Sequence, residues 1–578
     1  MSGADATAVR ADRTPGGGLE SLLTVLIPAG LAGGFAWAAA QLGLKGVVAV
    51  VGGLVFLAVL VVVRDRPTFV LFALVMSLGF LMHKSVGPLE GDIASGPPSL
   101  YVTTFDCLLL LLYGLWFLEG TLVPDLIRAL RRPVVWLPII AIGAWSLSLV
   151  GARNLNLAIA ELGRAGWMFL TFVYVAARVR TRRHVWAVLA ALGLLAAFEF
   201  VLILAQWKTH SVLGLDLIGT PLQLGERTLD QGDGLNRPFG TITHPVFMGA
   251  VMSTIGLVAL SLGCNLRRSW VRRVSVALVP VCVVPLLISQ TRAALVAFAT
   301  AGGILGLVAL VRGRIPAKTT VVLGAVAITT AIAFGPQLVE RYRDNFDTEH
   351  FRLEVESRSE LNAIAMRMIR DHAFLGVGLN NFQQAMEPYD PYGAIFAGNP
   401  VHNLYLLYWA ETGAFGLAAL LLVGGGLVFL ALRLARSGDR LFSAVGAGVA
   451  AVYLFFAVEE VLGFSLRQDI PLALFWLLAG VSVACLRLSS DEQAAAGGGA
   501  APALEPGLPG TEADLHRWVP DLEPVGARAA ARLGPGGERG EEPVVEVWDL
   551  DALASELDAL AGGDDSGRRE GPDGKAQM

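Results

Sequence analysis

The residues whose types could do chemistry are few and fall in four short segments. These are Arg237-Pro-Phe-Gly-Thr-Ile-Thr-His244-Pro245, Ser289-Gln-Thr-Arg292, Leu375-Gly-Val-Gly-Leu-Asn-Asn-Phe382, and His402-Asn403-Leu-Tyr405 with Glu411, Gly413 and Gly416 behind it. Arg292 interrupts two apolar runs, a place where a charge is costly unless compensated. A guanidinium is permanently charged and its donor fork matches phosphate oxygens, so a lipid diphosphate is a natural ligand for Arg292 and for Arg237. The plainer alternative for each is an interfacial arginine that snorkels to the headgroups. His402 has the residue type to take a proton from a hydroxyl near neutral pH; its plainer role is an interfacial histidine bonded to a carbonyl. His244 has the same two readings, with Pro245 favouring a turn role. Glu411, about two turns below His402, needs a partner such as an arginine or a backbone amide. Gly376 and Gly378, ahead of Asn380 and Asn381, suggest a tight turn of a shape that can cradle phosphate, without the lysine of a P-loop.

Something apolar must position these groups. Of 578 residues, 54% are hydrophobic and 16% charged, with a mean hydropathy of +0.60, against about 25% charged in average globular chains. That excludes disordered, collagen-like and coiled-coil proteins and argues for an all-α polytopic integral membrane protein. Apolar runs predict about 12–14 transmembrane helices, at 21–41, 46–63, 67–83, 104–119, 134–151, 165–177, 185–206, 244–263, 274–289, 293–311, 319–336, 403–432, 441–459 and 470–486. The sixth run spans a bilayer only if it begins near Ala160.

The net charge of −5 conceals two regions, because Ser489 to Met578 holds 7 basic and 19 acidic residues, a net of −12 that leaves +7 for the remainder. Arginine clusters at Arg64/Arg66, Arg128/Arg132, Arg178/Arg183, Arg267/Arg273, Arg312/Arg314 and Arg433/Arg440 alternate with connections poor in cations. With fourteen spans they share one side, cytoplasmic by the positive-inside rule, and both termini join them there. The expected organisation is a polar cytoplasmic segment at 1–20, a transmembrane domain at 21–487 and an acidic, disordered cytoplasmic tail at 488–578. Two long extracytoplasmic loops follow, 207–243 and 335–401, and the second contains Leu361, Ile364, Ala365, Met368 and Ile369 at helical spacing, with Ser357 or Ser359 as possible N-caps. The tail has one helical pattern, at Val544 to Ala561, equally consistent with a transient helix and a docking motif. Cys107, Cys264, Cys282 and Cys485 have neither metal-ligand nor disulfide-framework spacing.

An Arg-x-x-Gly element before a span, a Ser-x-x-Arg break, an amphipathic stretch leading into FLGVGLNNF and then HNLYLLYWAETGAFGL resembles the O-antigen ligase and Wzy polymerase superfamily over about 207–432. The resemblance implies a GT-C-like bundle that moves a glycan from an undecaprenyl diphosphate carrier to an acceptor, at the extracytoplasmic face of a bacterial inner membrane. It implies no cofactor, no nucleotide sugar and no metal. Carried onto this sequence, it assigns Arg237 and Arg292 to the diphosphate and His402 to the acceptor hydroxyl, with His244, Asn403, Tyr405, Glu411, Gly376, Gly378 and Asn381 in binding or support. The implied partners are a lipid-linked oligosaccharide, a glycan acceptor, membrane lipid and, through the tail, other polysaccharide assembly proteins; nucleic acid is not among them. A polymerase of O-antigen or exopolysaccharide repeats is favoured over a ligase, because the loop lacks a basic patch for a phosphorylated core. A polysaccharide transporter or flippase is the rival of another class, prompted by Glu199 inside a span and by Glu459 and Glu460 at a span end. Against it stand the absence of an inverted repeat and the gathering of polar residues at one face.

Overall fold

The computed structural model describes residues 51–80, 83–88, 99–213, 237–242, 244–267, 269–314, 349–390 and 400–496. The chain forms two units, 1–488 and 489–578; of the second, only the last turns of a helix ending at Ala496 are described. The predicted spans at 21–41 and 319–336, the helical pattern at Val544 to Ala561 and both termini lie outside the described residues.

The helices are α1 (Val51–Val62), α2 (Arg66–Met76), α3 (Thr104–Leu118), α4 (Leu122–Leu130), α5 (Pro133–Ser146), α6 (Leu155–Arg178), α7 (Arg182–Thr209) and α8 (Pro245–Asn265). They continue with α9 (Ser269–Ser289), α10 (Arg292–Val311), α11 (Glu349–Asp371), the short α12 (Phe382–Ala385), α13 (Leu404–Leu434), α14 (Arg440–Glu459) and α15 (Asp469–Ala496). Among the described residues nine helices are long and apolar enough to cross a membrane, and α3 with α4, bent by 107°, makes a tenth if taken as one span. The chain is therefore an all-α polytopic membrane protein, and the predicted spans from 104–119 onward that fall on described residues coincide with helices, whereas those at 46–63 and 67–83 meet only the shorter apolar helices Val51–Val62 and Arg66–Gly79. The doubtful sixth run is part of a full 24-residue helix, α6, because Asn154 caps it upstream by accepting a hydrogen bond from the Leu157 N–H at 3.2 Å. One element escaped the hydropathy reading: an antiparallel ribbon of β1 (His83–Pro88) and β2 (Ser99–Thr103), with His83 opposite Thr103 and an irregularity between Ser85 and Gly87.

The centre of the bundle is α8, α14 and α15, the most enclosed spans. Small residues let backbones approach: a Cβ on Gly256 would meet Cys282 and Phe298, one on Gly263 would meet Val276, and one on Gly448 would meet Val258 and Ser261. Outside this bundle, α11 packs on the start of α13 through Leu361, Ile364, Ala365, Met368 and Ile369, all buried, with Phe382, Val401, Leu407 and Ala410. The helical spacing is thus borne out, but the helix begins at Glu349, so neither Ser357 nor Ser359 is its N-cap.

Polar contacts sort the helix ends into two groups. At one end Arg183 pairs with Asp65 at 3.4 Å, Arg128 with Asp125 at 2.9 Å, Arg182 with Asp439 at 2.7 Å, and Arg314 donates to Asn265 and Ser443 at 2.9 Å. Those bonds draw together connections that carry the arginine clusters. The opposite end holds the C-terminus of α7, the N-terminus of α8, the α9–α10 break, the N-terminus of α13 and the α14–α15 turn. Every candidate site residue lies at this second end.

Candidate functional site

Arg237 is positioned by α7. The Gln206 side chain, fully buried, accepts from the N–H groups of Phe239 (3.1 Å) and Gly240 (2.8 Å) and donates to the Gly240 carbonyl (2.9 Å). About two turns deeper, the buried Glu199 accepts from the Thr241 N–H at 3.0 Å and from the Thr241 hydroxyl. Gly240 adopts φ +66°, and a Cβ there would collide with the Glu199 carboxylate, so the residue type is set by this close approach. The clamp leaves Arg237 able to donate from Nε to the Ser289 carbonyl at 3.2 Å. Ser289 ends α9, Gln290 turns with φ +57°, and Arg292 starts α10, so the contact joins Arg237 to the break that carries Arg292. His244 is the N-cap of α8: its Nδ1 accepts from the Val246 N–H at 3.1 Å, the turn role that Pro245 suggested. A turn below, a Cβ on Gly249 would meet the Thr291 hydroxyl, so α8 lies directly against the same break.

The second cluster surrounds His402. Asn403 caps α13 by accepting from the Leu406 N–H at 3.0 Å, and the Tyr405 hydroxyl donates to the Ala457 carbonyl at 2.9 Å. The Leu404 N–H is shared between the carbonyls of Glu460 (2.9 Å) and Gly463 (3.0 Å), which ties the start of α13 to the turn after α14. Phe464 in that turn meets the half-buried His402 ring edge-on, with centroids 5.2 Å apart. Cap, hydroxyl brace and ring together fix where the imidazole stands.

The third cluster explains the glycines. Seven consecutive N–H groups, from Gly376 to Phe382, donate within the protein: to His372 O, Ala410 O, Glu411 O, Ser148 Oγ, Glu411 Oε2, Gly378 O and Glu411 Oε1. None of them is left to point at a phosphate, so the cradle suggested by the sequence is instead a plug that fills a break in α13. The break is at Gly413 (φ +66°), where a Cβ would strike the Phe374 carbonyl, and Gly376 (φ +71°) faces the Glu411 carbonyl equally closely. Asn381 completes the plug, accepting from the Asn154 N–H at 2.5 Å and donating to the Asn154 carbonyl at 3.1 Å. Glu411 thus has backbone amides and an arginine as partners, the two alternatives that the sequence offered, because Arg467, fully buried, pairs with it at 3.3 Å and with Glu161 at 3.1 Å. Arg164 extends the network to Glu161 at 2.5 Å and Asp469 at 2.7 Å. Burial works against the Arg467 charge, but Glu161 and Glu411 outweigh it and hold the guanidinium above its ordinary range.

The structure therefore brings Arg237 to the Arg292 break, and Gly376, Gly378 and Asn381 to Glu411, while His402, Asn403 and Tyr405 form a group with the α14–α15 turn. The arginines and His402 stand on different helix pairs; α14 packs against α8, α10 and α13 and so links them. Gln206, Arg164, Glu161 and Arg467 were missed as site-building residues. The available signal was an i, i+3 Glu–Arg pair inside an apolar run and an arginine in a very short turn between two spans. Among the described residues no group of three or more His, Cys, Asp or Glu side chains is placed to hold a metal ion.

Residues 277–421 match the family described as O-antigen ligase. The matched stretch includes Arg292, the glycine plug, His402 and Glu411, and leaves Arg237 and His244 outside. No curated protein matches the chain.

Proposed function

We propose that this chain, whose residues 277–421 match the family described as O-antigen ligase, is a member of the O-antigen ligase and Wzy polymerase superfamily that transfers a glycan from an undecaprenyl diphosphate carrier to an acceptor hydroxyl. The observation that carries this reading is the bond from Arg237 to the break bearing Arg292, at the bundle end that also presents His402. Two guanidiniums meet the two charges of a diphosphate, and both backbones are fixed before substrate arrives. As the anomeric C–O bond breaks, charge accumulates on the leaving diphosphate, and donors already in place stabilise it without reorganising water. His402 orients the acceptor hydroxyl and takes its proton from the opposite face of the sugar, which gives inversion. Asn403, Tyr405, His244, Gly376, Gly378, Asn381 and Glu411 act by support, consistent with the hydrogen bonds they make inside the protein.

In this reading the arginine-rich end is cytoplasmic by the positive-inside rule, the site faces the extracytoplasmic side of a bacterial inner membrane, and no metal is required. Glu199, which prompted the transporter alternative, serves as the clamp on Thr241, and that weakens the alternative. We favour polymerisation of O-antigen or exopolysaccharide repeats, with acceptor attachment by a ligase as the second reading because the matched family is described as O-antigen ligase. The test is polymer formation by His402→Ala and Arg292→Ala proteins present in the membrane at normal level; full activity in both would remove the assignment. Glycan length in a deletion strain separates the two acceptors. Single repeats still attached, with polymer lost, mean a polymerase, and accumulated long lipid-linked chains mean a ligase.

A further inference from the structure

Helix α3 is 15 residues long, about 22 Å at 1.5 Å per residue, which falls short of a hydrocarbon layer of about 30 Å. The chain then turns by 107° into α4, so with α3 crossing the bilayer α4 runs close to the membrane plane. Its inner face sets its depth. Asp125, buried, accepts from the Trp116 Nε1–H at 3.0 Å and pairs with Arg128 at 2.9 Å, with Arg178 at 3.6 Å and with Arg180. Arg178 is the last residue of α6 and Arg180 lies just beyond it. Helix α4 is therefore level with the end of a full-length span, at the end of the bundle where the arginine clusters gather.

The outer face of α4 is apolar. Val123, Ile127 and Leu130 are 63%, 49% and 41% exposed, and their i, i+4, i+7 spacing confines them to an arc of about 60° on an α-helix. Trp136, half exposed, donates from Nε1 to the Leu130 carbonyl at 2.8 Å. That bond places an indole, a ring that favours the headgroup level, at the C-terminal end of the stripe. Arg128 and Arg131 are exposed and Arg132 half-buried, so a stripe that suits acyl chains adjoins cations that suit phosphates. An apolar face bordered by arginines is the pattern of a helix that lies in a bilayer interface. We propose that α4 is not the second half of a span but an interfacial helix that binds an anionic phospholipid surface. Val123, Ile127 and Leu130 enter the acyl chains, and Arg128, Arg131 and Arg132 meet the lipid phosphates. This role is independent of the transferase reading. Because Asp125 anchors α4 to α3 and α6, lipid bound on the outer face stabilises the packing on the inner one.

The test uses full-length protein in vesicles of phosphatidylcholine alone and of phosphatidylcholine mixed with phosphatidylglycerol. A nitroxide is attached at Ile127→Cys or at Arg128→Cys in a Cys107→Ala background, because Cys107 is exposed and the other three cysteines are buried. Collisions with oxygen, which partitions into acyl chains, and with a water-soluble nickel chelate report the surroundings of each label. The Ile127 label should meet oxygen and be shielded from nickel, and the Arg128 label should do the reverse. In a second measurement, on unlabelled protein, phosphatidylglycerol should raise the thermal unfolding midpoint of wild type. Arg131→Gln/Arg132→Gln should lose most of that rise, since each arginine at an anionic surface contributes about fivefold in lipid affinity. An Ile127 label reached by nickel would place the face in water, and one shielded from both reagents would place it under protein, a second copy included; either overturns the proposal. A wild-type midpoint indifferent to phosphatidylglycerol, or a rise kept in full by the double variant, would overturn it as well.

Discussion

Replacing Glu411 separates scaffold from chemistry. Its carboxylate accepts the Asn380 and Phe382 N–H groups at 3.0 and 3.2 Å and pairs with Arg467 at 3.3 Å, all in a fully buried setting. Glu411→Gln preserves shape but keeps one acceptor oxygen, so it orphans a buried N–H at about 1–3 kcal/mol. It also removes one of two counter-charges from Arg467; breaking a buried pair costs about 3–5 kcal/mol, and Glu161 at 3.1 Å retains part of that. The two losses share a network and do not simply add. A net destabilisation of about 3–5 kcal/mol follows, and Glu411→Ala, which orphans both N–H groups and leaves a void, should exceed it. The assay is thermal unfolding in detergent followed by tryptophan fluorescence, paired with glycan transfer measured well below the transition. The variant should melt earlier yet turn over within a few-fold of wild type while folded. A Glu411→Gln protein as stable as wild type but inactive would refute the reasoning and make Glu411 a catalytic group.

Three further outcomes follow from the geometry. Gln206→Ala removes three hydrogen bonds from the Phe239–Gly240 backbone; it should weaken donor binding measured by saturation transfer by about tenfold, roughly 1.4 kcal/mol, with normal membrane abundance. Gly376→Ala places a Cβ against the Glu411 carbonyl at φ +71°, and immunoblotting of membranes should show little folded protein. Asn403→Ala loses the cap of α13 and should cost about 1 kcal/mol in thermal unfolding, whereas Tyr405→Phe, losing one bond to Ala457, should cost about 0.5–1.5 kcal/mol and leave transfer nearly unchanged.

Much of the bundle was legible because lipid demands uninterrupted helices, and a run of apolar residues reports that demand directly. Charge alternation was legible because connections on one side of a membrane carry an excess of Lys and Arg, and the arginine clusters do share one end. The role of Glu411 could be read from its cost alone: a carboxylate two turns inside a span must be paid for, and both kinds of partner named in advance are present. Gly376 and Gly378 were misleading because glycines that admit a phosphate and glycines that admit a neighbouring backbone look identical in one dimension; only the fate of the N–H groups distinguishes them. The Arg467 network was hidden because its members, Glu161, Arg164, Glu411, Arg467 and Asp469, come from three helices and a turn. The β1–β2 ribbon has no spanning length or charge rule to announce it.

The measurement closest to the central claim is the rate at which purified protein in liposomes releases lipid diphosphate from a lipid diphosphate-linked glycan, compared between wild type and Arg292→Ala. Loss of one preorganised donor to the leaving group predicts a fall of about 100- to 1,000-fold in turnover, with the protein folded and His402 in place. Turnover that survives the substitution unchanged would contradict the account.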